Sequence, residues 1–207
     1  YCYPLIAHTL PAHQVIAVLS GELNKTLDSC RIIWTKLTDA EADRKSLLIN
    51  LGGGVIGDMG GFAAACYKRG ISFINIPTTL LAMVDASVGG KTGIDFMGFK
   101  NQVGLFAQPA AVFVDTVFLA TLPVRQLISG FAEVIKHYLI ADKAAFAALL
   151  KTPENIAGYA WPDLIYKSIK IKTDIVEQDP HEQGRRKALN FGHTIGHAVE
   201  SAFFADG

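Results

Sequence analysis

Two imidazoles stand four residues apart in the segment Asn190-Phe191-Gly192-His193-Thr194-Ile195-Gly196-His197. On a helix, positions i and i+4 lie one above the other on the same face, so His193 and His197 can address a single centre. That centre could be a metal ion, or one histidine could bind while the other moves a proton. Equally, the pair could cap or pack a helix, because two histidines supply at most half of a tetrahedral shell.

Further upstream, Gly130-Phe131-Ala132-Glu133-Val134-Ile135-Lys136-His137 puts Glu133, Lys136 and His137 on one helical face. A surface ion pair would account for the charges. The neighbours are apolar, however, and a carboxylate there could complete a metal shell with the later histidines. Lys172, Glu182, Arg186 and Asn190 add charge and hydrogen-bonding capacity on the way to the histidine pair. Each of them taken alone would also suit a solvated face.

Two glycine-rich stretches could meet phosphate. Gly52-Gly53-Gly54-Val55-Ile56-Gly57-Asp58 falls where an apolar run passes into a helical pattern. Glycines at such a junction let a ligand approach the backbone, and the N–H groups of the helix start suit a pyrophosphate. The spacing is not the usual GxGxxG, and a turn alone would also explain it. Thr78 and Thr79 leave the next strand at its carboxyl end, the edge where open α/β sheets bind ligands. Gly89-Gly90-Lys91-Thr92-Gly93 resembles a Walker A end, but Asp85 occupies the position where the first glycine of that motif belongs. Lys91 remains a candidate anion binder. Lys100 and Asn101, expected to follow a short polar loop, offer a charge and an amide to an anionic, oxygenated ligand.

The elements that must position these groups follow from periodicity. Strands are expected at 14–19, 46–51, 72–76 and 111–115, and helices at 25–37, 56–67 and from Thr79 through Val84. Alternating strands and helices with apolar strands predict a parallel sheet covered on both faces. From Phe118 onward only helical spacing occurs, at 124–141, 143–150, 163–178 and 188–204. An α/β domain over 1–116 followed by an all-α domain over 117–207 is therefore expected.

Composition narrows the class. Of 207 residues 50% are hydrophobic, which is enough for a substantial core, and 19 basic against 19 acidic residues leave zero formal charge. That balance argues against a broad nucleic-acid footprint, so an anionic ligand must be met by local cations. Cys2, Cys30 and Cys66 are odd in number and show no metal-type pairing, so buried thiols in a reducing compartment are expected. No apolar run approaches the roughly 20 residues of a membrane span. The first ten residues lack a basic segment followed by an apolar core, and a cytoplasmic location is expected. The chain opens without methionine and stops directly after a helical pattern, so both ends are expected to be incomplete.

Taken together, the segments GELNKT (21–26), LGGGVIGDMGGFAAACYKRG (51–70), IPTTLLAMVDASVGGKTGID (76–95), KNQVGLFAQP (100–109), FAEVIKH (131–137) and NFGHTIGHAVES (190–201) resemble the 3-dehydroquinate synthase family, nearly end to end. The resemblance implies a Rossmann-like N-terminal domain binding NAD, a helical C-terminal domain, and a catalytic divalent metal, zinc or else cobalt, in the cleft between them. It makes Glu133 and His193 metal ligands, with the third a histidine of a later HGE motif. It makes His197 a substrate-contacting, proton-transferring group. Glu22, Lys25, Gly52, Gly53, Gly54, Val55, Asp58, Thr78, Thr79, Asp85, Lys100 and Thr121 match the dinucleotide site. Lys91, Asn101, Lys136, Lys172, Glu182, Arg186 and Asn190 match the substrate pocket, and Arg69 matches an arginine that reaches the neighbouring subunit's substrate phosphate in a homodimer.

The implied reaction turns 3-deoxy-D-arabino-heptulosonate 7-phosphate into 3-dehydroquinate and phosphate by transient NAD-mediated oxidation, phosphate elimination, reduction and intramolecular aldol closure. That makes the enzyme a carbon–oxygen lyase of the shikimate route to chorismate and aromatic amino acids. Alternatives are a sister sugar-phosphate cyclase of valiolone or inosose type, a related metal-dependent polyol dehydrogenase, and a non-catalytic NAD-binding remnant.

Overall fold

The computed structural model describes residues 1–149, 159–196 and 199. The chain divides into two compact units, Tyr1–Phe131 and Ala132–Gly207.

The first unit is built on a parallel sheet of β1 (Leu47–Gly52), β2 (Ser72–Pro77) and the short β5 (Ala111–Val112), in the order β1-β2-β5. The β1–β2 ladder is in register from Leu47↔Ser72 to Gly52↔Pro77. A short helix α1 (Tyr3–Ile6) opens the chain, and α2 (Leu27–Asp39) and α3 (Gly54–Cys66) follow. In α2, Thr26 caps the helix by accepting the Ser29 N–H, and Cys30, Ile33 and Leu37 form the buried stripe. Those side chains join Met59, Phe62, Ala63 and Ala64 of α3, Phe73 of β2 and Ile94 in one core.

Helix α3 holds glycine at 54, 57, 60 and 61, which in isolation would cost a helix about 1 kcal/mol each relative to alanine. Close packing on the sheet offsets that cost. A Cβ on Gly60 would lie 2.0 Å from Asn50 Oδ1, and one on Gly61 would lie 2.7 Å from Thr92 Cγ2. Asn50 and Asn75, buried and paired in register, join their side chains by a 3.0 Å hydrogen bond. The other sheet face is less filled: Ile49, Ile74 and Ile76 line a cavity of about 470 Å3 with Ile6, Leu10, Phe113 and Phe118.

Several expectations need correction. Residues 14–19 form no strand; Ile16 and Val18 pack on the core in alternation, but no ladder partner exists among the described residues. Lys100 and Asn101, expected to follow a short polar loop, do follow a turn, and they do so as part of a strand. An antiparallel hairpin of β3 (Lys91–Phe96) and β4 (Phe99–Phe106) occupies this stretch. Its β4 is exposed along its whole length, so no apolar alternation marks it. Of the three cysteines only Cys30 is buried; Cys2 is half-buried and Cys66 exposed. Burial, with Cys66 nearby, pushes the Cys30 thiol up to about 12, which makes it unreactive. The helical stretch at Leu80–Ala86 carries a π turn over Ala82–Ala86.

Helix α4 (Val124–Ala141) begins in the first unit and continues into the second. In the first unit Gly130 lies against the chain at Leu80 and Leu81, where a Cβ would come within 2.4 Å of the Leu81 nitrogen. The second unit continues with α5 (Lys143–Leu149) and α6 (Trp161–Gln178), and it contains no strand among the described residues. Ile165, Ser168, Lys172, Ile175 and Val176 form the buried stripe of α6, and Leu189 packs on Ile175 and Val176. The helix expected to begin at 188 does not: Arg185–Asn190 is a 3-10 helix, Gly192 turns left-handed at φ 84°, and a helical turn starts at His193. Leu150, His197 and most of the last expected helix beyond Gly196 lie outside the described residues. Among the described residues no helix is long and apolar enough to cross a membrane.

Gly60→Ala is expected to destabilise the first unit by about 1–3 kcal/mol, because Asn50 cannot yield without losing its buried partner. Urea unfolding that leaves the midpoint unchanged would refute the close packing described here.

Candidate functional site

In the first unit, the dinucleotide residues implied by sequence are drawn together by charge. Lys25, 3% exposed, donates from Nζ to Asp58 Oδ2 at 2.6 Å and to Asn101 Oδ1 at 2.6 Å. Burial pushes the Asp58 carboxyl up, and the neighbouring Glu22 and Asp85 carboxylates add to this; the Lys25 charge and hydrogen bond pull it down. Glu22 starts the short 3-10 turn Glu22–Asn24 that delivers Lys25, and Asp85 sits in the π turn. Asn101, which the resemblance placed with the substrate, thus shares its lysine with a residue of the dinucleotide group.

The glycine-rich turn works by close approach. None of Gly52, Gly53 and Gly54 has a left-handed backbone, but a Cβ on Gly53 would lie 3.2 Å from Thr79 Cγ2 and one on Gly54 would lie 3.1 Å from the Ala86 Cβ. Gly53 caps α3 without a side chain, so Gly54 and Val55 begin the helix with backbone N–H groups suited to an anion. The Thr78 N–H donates to the Gly52 carbonyl at 2.9 Å, and Thr79 Oγ1 accepts from the Ala82 N–H at 3.2 Å. Thr78 therefore holds the turn in place, and Thr79 caps the helical stretch that begins at Leu80. Lys91 opens β3 and Lys100 lies on β4, both exposed. Thr121 ends the 3-10 helix Thr116–Thr121, exposed, with no hydrogen bond to this group among the described residues. Arg69 is exposed in a turn where Lys68, Arg69 and Gly70 all have positive φ (48°, 68° and 114°).

In the second unit, Glu133, Lys136 and His193 converge. Lys136 Nζ pairs with Glu133 Oε2 and lies 3.3 Å from His193 Nε2, and His193 Nε2 lies 3.7 Å from Glu133 Oε1. Two ligands of a tetrahedral zinc, each about 2.0–2.1 Å from the ion, stand roughly 3.3–3.4 Å apart. The carboxylate and imidazole are therefore spaced to share a divalent cation once the Lys136 ammonium, which now lies between them, swings aside. His137, one turn beyond Glu133, is fully buried and joins α4 to α6 by a 2.6 Å hydrogen bond between its Nδ1 and Ser168 Oγ. Sequence spacing showed His137 on this face; nothing in the sequence marked Ser168.

The loop after α6 is organised by Asp179, which with Pro180 marks a turn in the sequence. Its Oδ1 accepts the Gln183 N–H at 2.9 Å, and its Oδ2 accepts the N–H groups of Gly184 at 2.7 Å and Arg186 at 3.0 Å. These bonds, together with the Arg186 charge, hold the carboxyl below the usual range. Asn190 Nδ2 donates to Glu182 Oε1 at 2.5 Å, and buried Arg186 donates from Nη1 to the Pro180 carbonyl at 2.6 Å. Glu182 and Asn190 line a cavity of about 660 Å3 with His181, Lys187, Phe191 and Thr194, so the resemblance missed two basic side chains there. Lys172 is buried in the α6 stripe and Arg186 is 3% exposed; neither lines this cavity.

Comparison with known proteins gives a consistent picture. Residues 15–129 match the family model for the N-terminal part of 3-dehydroquinate synthase, and residues 130–206 match the model for its C-terminal part. A 3-dehydroquinate synthase of Parabacteroides distasonis is 52% identical over 98% of this chain and 58% of its own length. One of Ruminiclostridium cellulolyticum is 50% identical over 87% of this chain and 51% of its own length. The chain thus spans somewhat over half the length of the curated relatives it matches. Among solved structures, 2-deoxy-scyllo-inosose synthase complexed with carbaglucose-6-phosphate, NAD+ and Co2+ covers 98% of this chain and 57% of its own, with TM-score 0.83 at 30% identity. The 2-epi-5-epi-valiolone synthase of Streptomyces hygroscopicus subsp. jinggangensis, with NAD+ and Zn2+ bound, covers 92% of this chain and 54% of its own, with TM-score 0.77 at 26% identity.

A carboxylate whose folded pKa is depressed stabilises its loop above its unfolded pKa of about 3.9, and that contribution is lost as pH falls below it. Amide exchange should therefore find the N–H groups of Gln183, Gly184 and Arg186 protected near neutral pH and released below about pH 4. Asp179→Ala should lose roughly tenfold protection at pH 7. Unchanged exchange in the variant would remove Asp179 from this role.

Proposed function

The chain belongs to the 3-dehydroquinate synthase family, and on that premise we propose that it carries the dinucleotide-binding region and two metal ligands of an enzyme converting 3-deoxy-D-arabino-heptulosonate 7-phosphate to 3-dehydroquinate and phosphate. The observation that carries this reading is the convergence of Glu133, Lys136 and His193. When bound, NAD would supply a reversible hydride acceptor and a divalent cation, zinc or cobalt, a Lewis acid beside the hydroxyl being oxidised. Glu133 and His193 would hold the cation, and the Gly52–Gly54 turn, Val55, Lys25, Asp58, Thr78, Thr79, Asp85, Glu22, Lys100 and Thr121 the dinucleotide.

The chain's own groups do the rest. Lys136, Lys172 and Arg186 are each less than a tenth exposed, so their charges act through a low local dielectric on an anionic substrate and its departing phosphate. Glu182 and Asn190, already bonded to each other, orient hydroxyls, and Asn101 and Lys91 complete the polar contacts. His197 moves a proton at the substrate. Because NAD is restored in each cycle, the enzyme is a lyase with no net redox change. A cytoplasmic homodimer completes the proposal, with Arg69 reaching the partner's substrate phosphate from its strained turn.

A second reading, a sister cyclase acting on another sugar phosphate, is favoured by the fit to the inosose synthase structure. It is disfavoured by the step from 30% to 52% identity toward the dehydroquinate synthases.

The complete reading frame containing this segment should release phosphate from the heptulosonate phosphate only when NAD and a divalent metal are both present, without net NADH. Release solely from other sugar phosphates would instead establish the sister cyclase, and net NADH accumulation a dehydrogenase. Arg69→Ala should lower turnover roughly 100-fold while leaving NAD affinity unchanged; full turnover in this variant would end the proposed cross-subunit role.

A further inference from the structure

The hairpin of β3 and β4 contains an irregularity at a chemically significant place. Its ladder runs Lys91↔Phe106, Thr92↔Leu105, Gly93↔Gly104 and Ile94↔Val103, and then jumps to Phe96↔Phe99. Asp95 alone on one strand therefore faces Lys100, Asn101 and Gln102 on the other. Bulges of this kind bend a strand and re-aim a side chain. Here the middle residue, Asn101, has φ 52°, a left-handed backbone that is uncommon outside glycine, that asparagine tolerates better than most residues, and that neighbouring contacts can enforce.

Asp95 supplies that enforcement from two directions. Its Oδ1 accepts the Asn101 N–H at 2.8 Å, which fixes the bulge, and its own N–H donates to the Lys25 carbonyl at 2.9 Å, which fixes the incoming segment. With both backbones tied to one residue, the side chains meet: Lys25 Nζ donates to Asn101 Oδ1 at 2.6 Å while also bonding Asp58. An ammonium offers only donors, so the amide must turn its oxygen toward Lys25. The NH2 end of Asn101, an exposed residue, is left to donate outward.

We propose that Asp95 is a positioning residue that clamps the bulge in β4, so that Asn101 gives its amide oxygen to Lys25 and presents its NH2 as a fixed hydrogen-bond donor to an oxygen of the substrate. The proposal rests on the reading of Asn101 as a substrate contact. It adds that the polarity of this contact is set by Lys25, and hence that a closed ring of hydrogen bonds through Asp95, Asn101 and Lys25, with one further bond from Lys25 to Asp58, joins the substrate contact to the dinucleotide group.

Two readouts in the full-length enzyme test the clamp. Amide exchange at Asn101 reports it without any substrate: Asp95→Ala should lose the protection of the Asn101 N–H, and Asp95→Asn, whose amide oxygen can accept the same bond, should restore most of it. Steady-state phosphate release reports its consequence. Asp95→Ala should raise KM for the sugar phosphate about tenfold with kcat within about twofold, and Asp95→Asn should recover most of the loss. In an Asn101→Gly background, where glycine takes the left-handed backbone freely and no amide remains to aim, adding Asp95→Ala should not raise KM further. Full protection of the Asn101 N–H in Asp95→Ala, or additive effects in the double variant, would overturn the proposal. If the unaltered enzyme releases no phosphate, the enzymatic reading fails separately, and the exchange experiment alone upholds or overturns the clamp.

Discussion

The first unit depends on how closely α3 lies on its sheet. Side chains between a helix and a sheet normally set their separation; here Gly60 and Gly61 leave no room for even a Cβ against Asn50, Thr92 and Phe73. The approach draws the Gly53–Gly54 start of the helix down to Thr79 and Ala86. It also sets Asp58, one turn into the helix, where the buried ammonium of Lys25 can reach it. The same proximity brings the hairpin into the core through Ile94, so Asn101 arrives at the other side of that ammonium. Low helix propensity and buried polar groups would each destabilise a helix alone. Together they are the means by which backbone amides, a carboxylate and an amide are held around one cation.

Charge is treated in the same way in both units. Lys25 and Asp58 are a buried pair in which each removes part of the other's desolvation cost, and Asn101 occupies a further hydrogen of the ammonium. In the second unit Lys136 lies between Glu133 and His193, and Lys172 occupies a stripe position of α6 where the pattern calls for an apolar side chain. In a chain of zero formal charge, a few cations buried in fixed positions, where the dielectric is low and little reorganisation is needed, are one effective way to attract an anion. That is the distribution observed.

What the sequence revealed depended on whether a feature is local. The α2 stripe, the strand before the triple glycine and the Glu133–Lys136 face follow from spacing alone, and the structure keeps them. The hairpin did not, because β4 is exposed throughout and pairs only with β3, so it lacks the alternation a half-buried strand writes into its residues. Residues 14–19 show the converse: Ile16 and Val18 alternate with exposed neighbours, but alternation reports which side chains are buried and not whether the backbone has a partner. Asp95 and Ser168 were invisible, and Asp179 legible only as a turn, for a related reason. Each acts on a backbone N–H or a side chain that only the folded chain brings near, and an acidic or hydroxyl residue in isolation reads as solvated surface.

Backbone strain carries the argument further than residue type does. Among the described residues, six non-glycine residues have positive φ: Glu41, Lys68, Arg69, Met97, Asn101 and Glu182. Three of these, Arg69, Asn101 and Glu182, are residues that the family resemblance implies as substrate contacts, and a fourth, Lys68, immediately precedes one. Holding such conformations costs on the order of 1 kcal/mol or more each, and stability alone would favour glycine there. Glycine would relieve the strain and remove the guanidinium, the amide or the carboxylate. At Asn101 and Glu182 the structure also shows what holds the strained backbone. The carboxylate of Asp95 takes the Asn101 N–H, and the carbonyl of Asp179 takes the Glu182 N–H at 3.3 Å while its carboxylate gathers the amides that follow. Strain at these positions, each with an aspartate assigned to contain it, is what a chain selected for side-chain placement would retain and one selected for stability alone would lose.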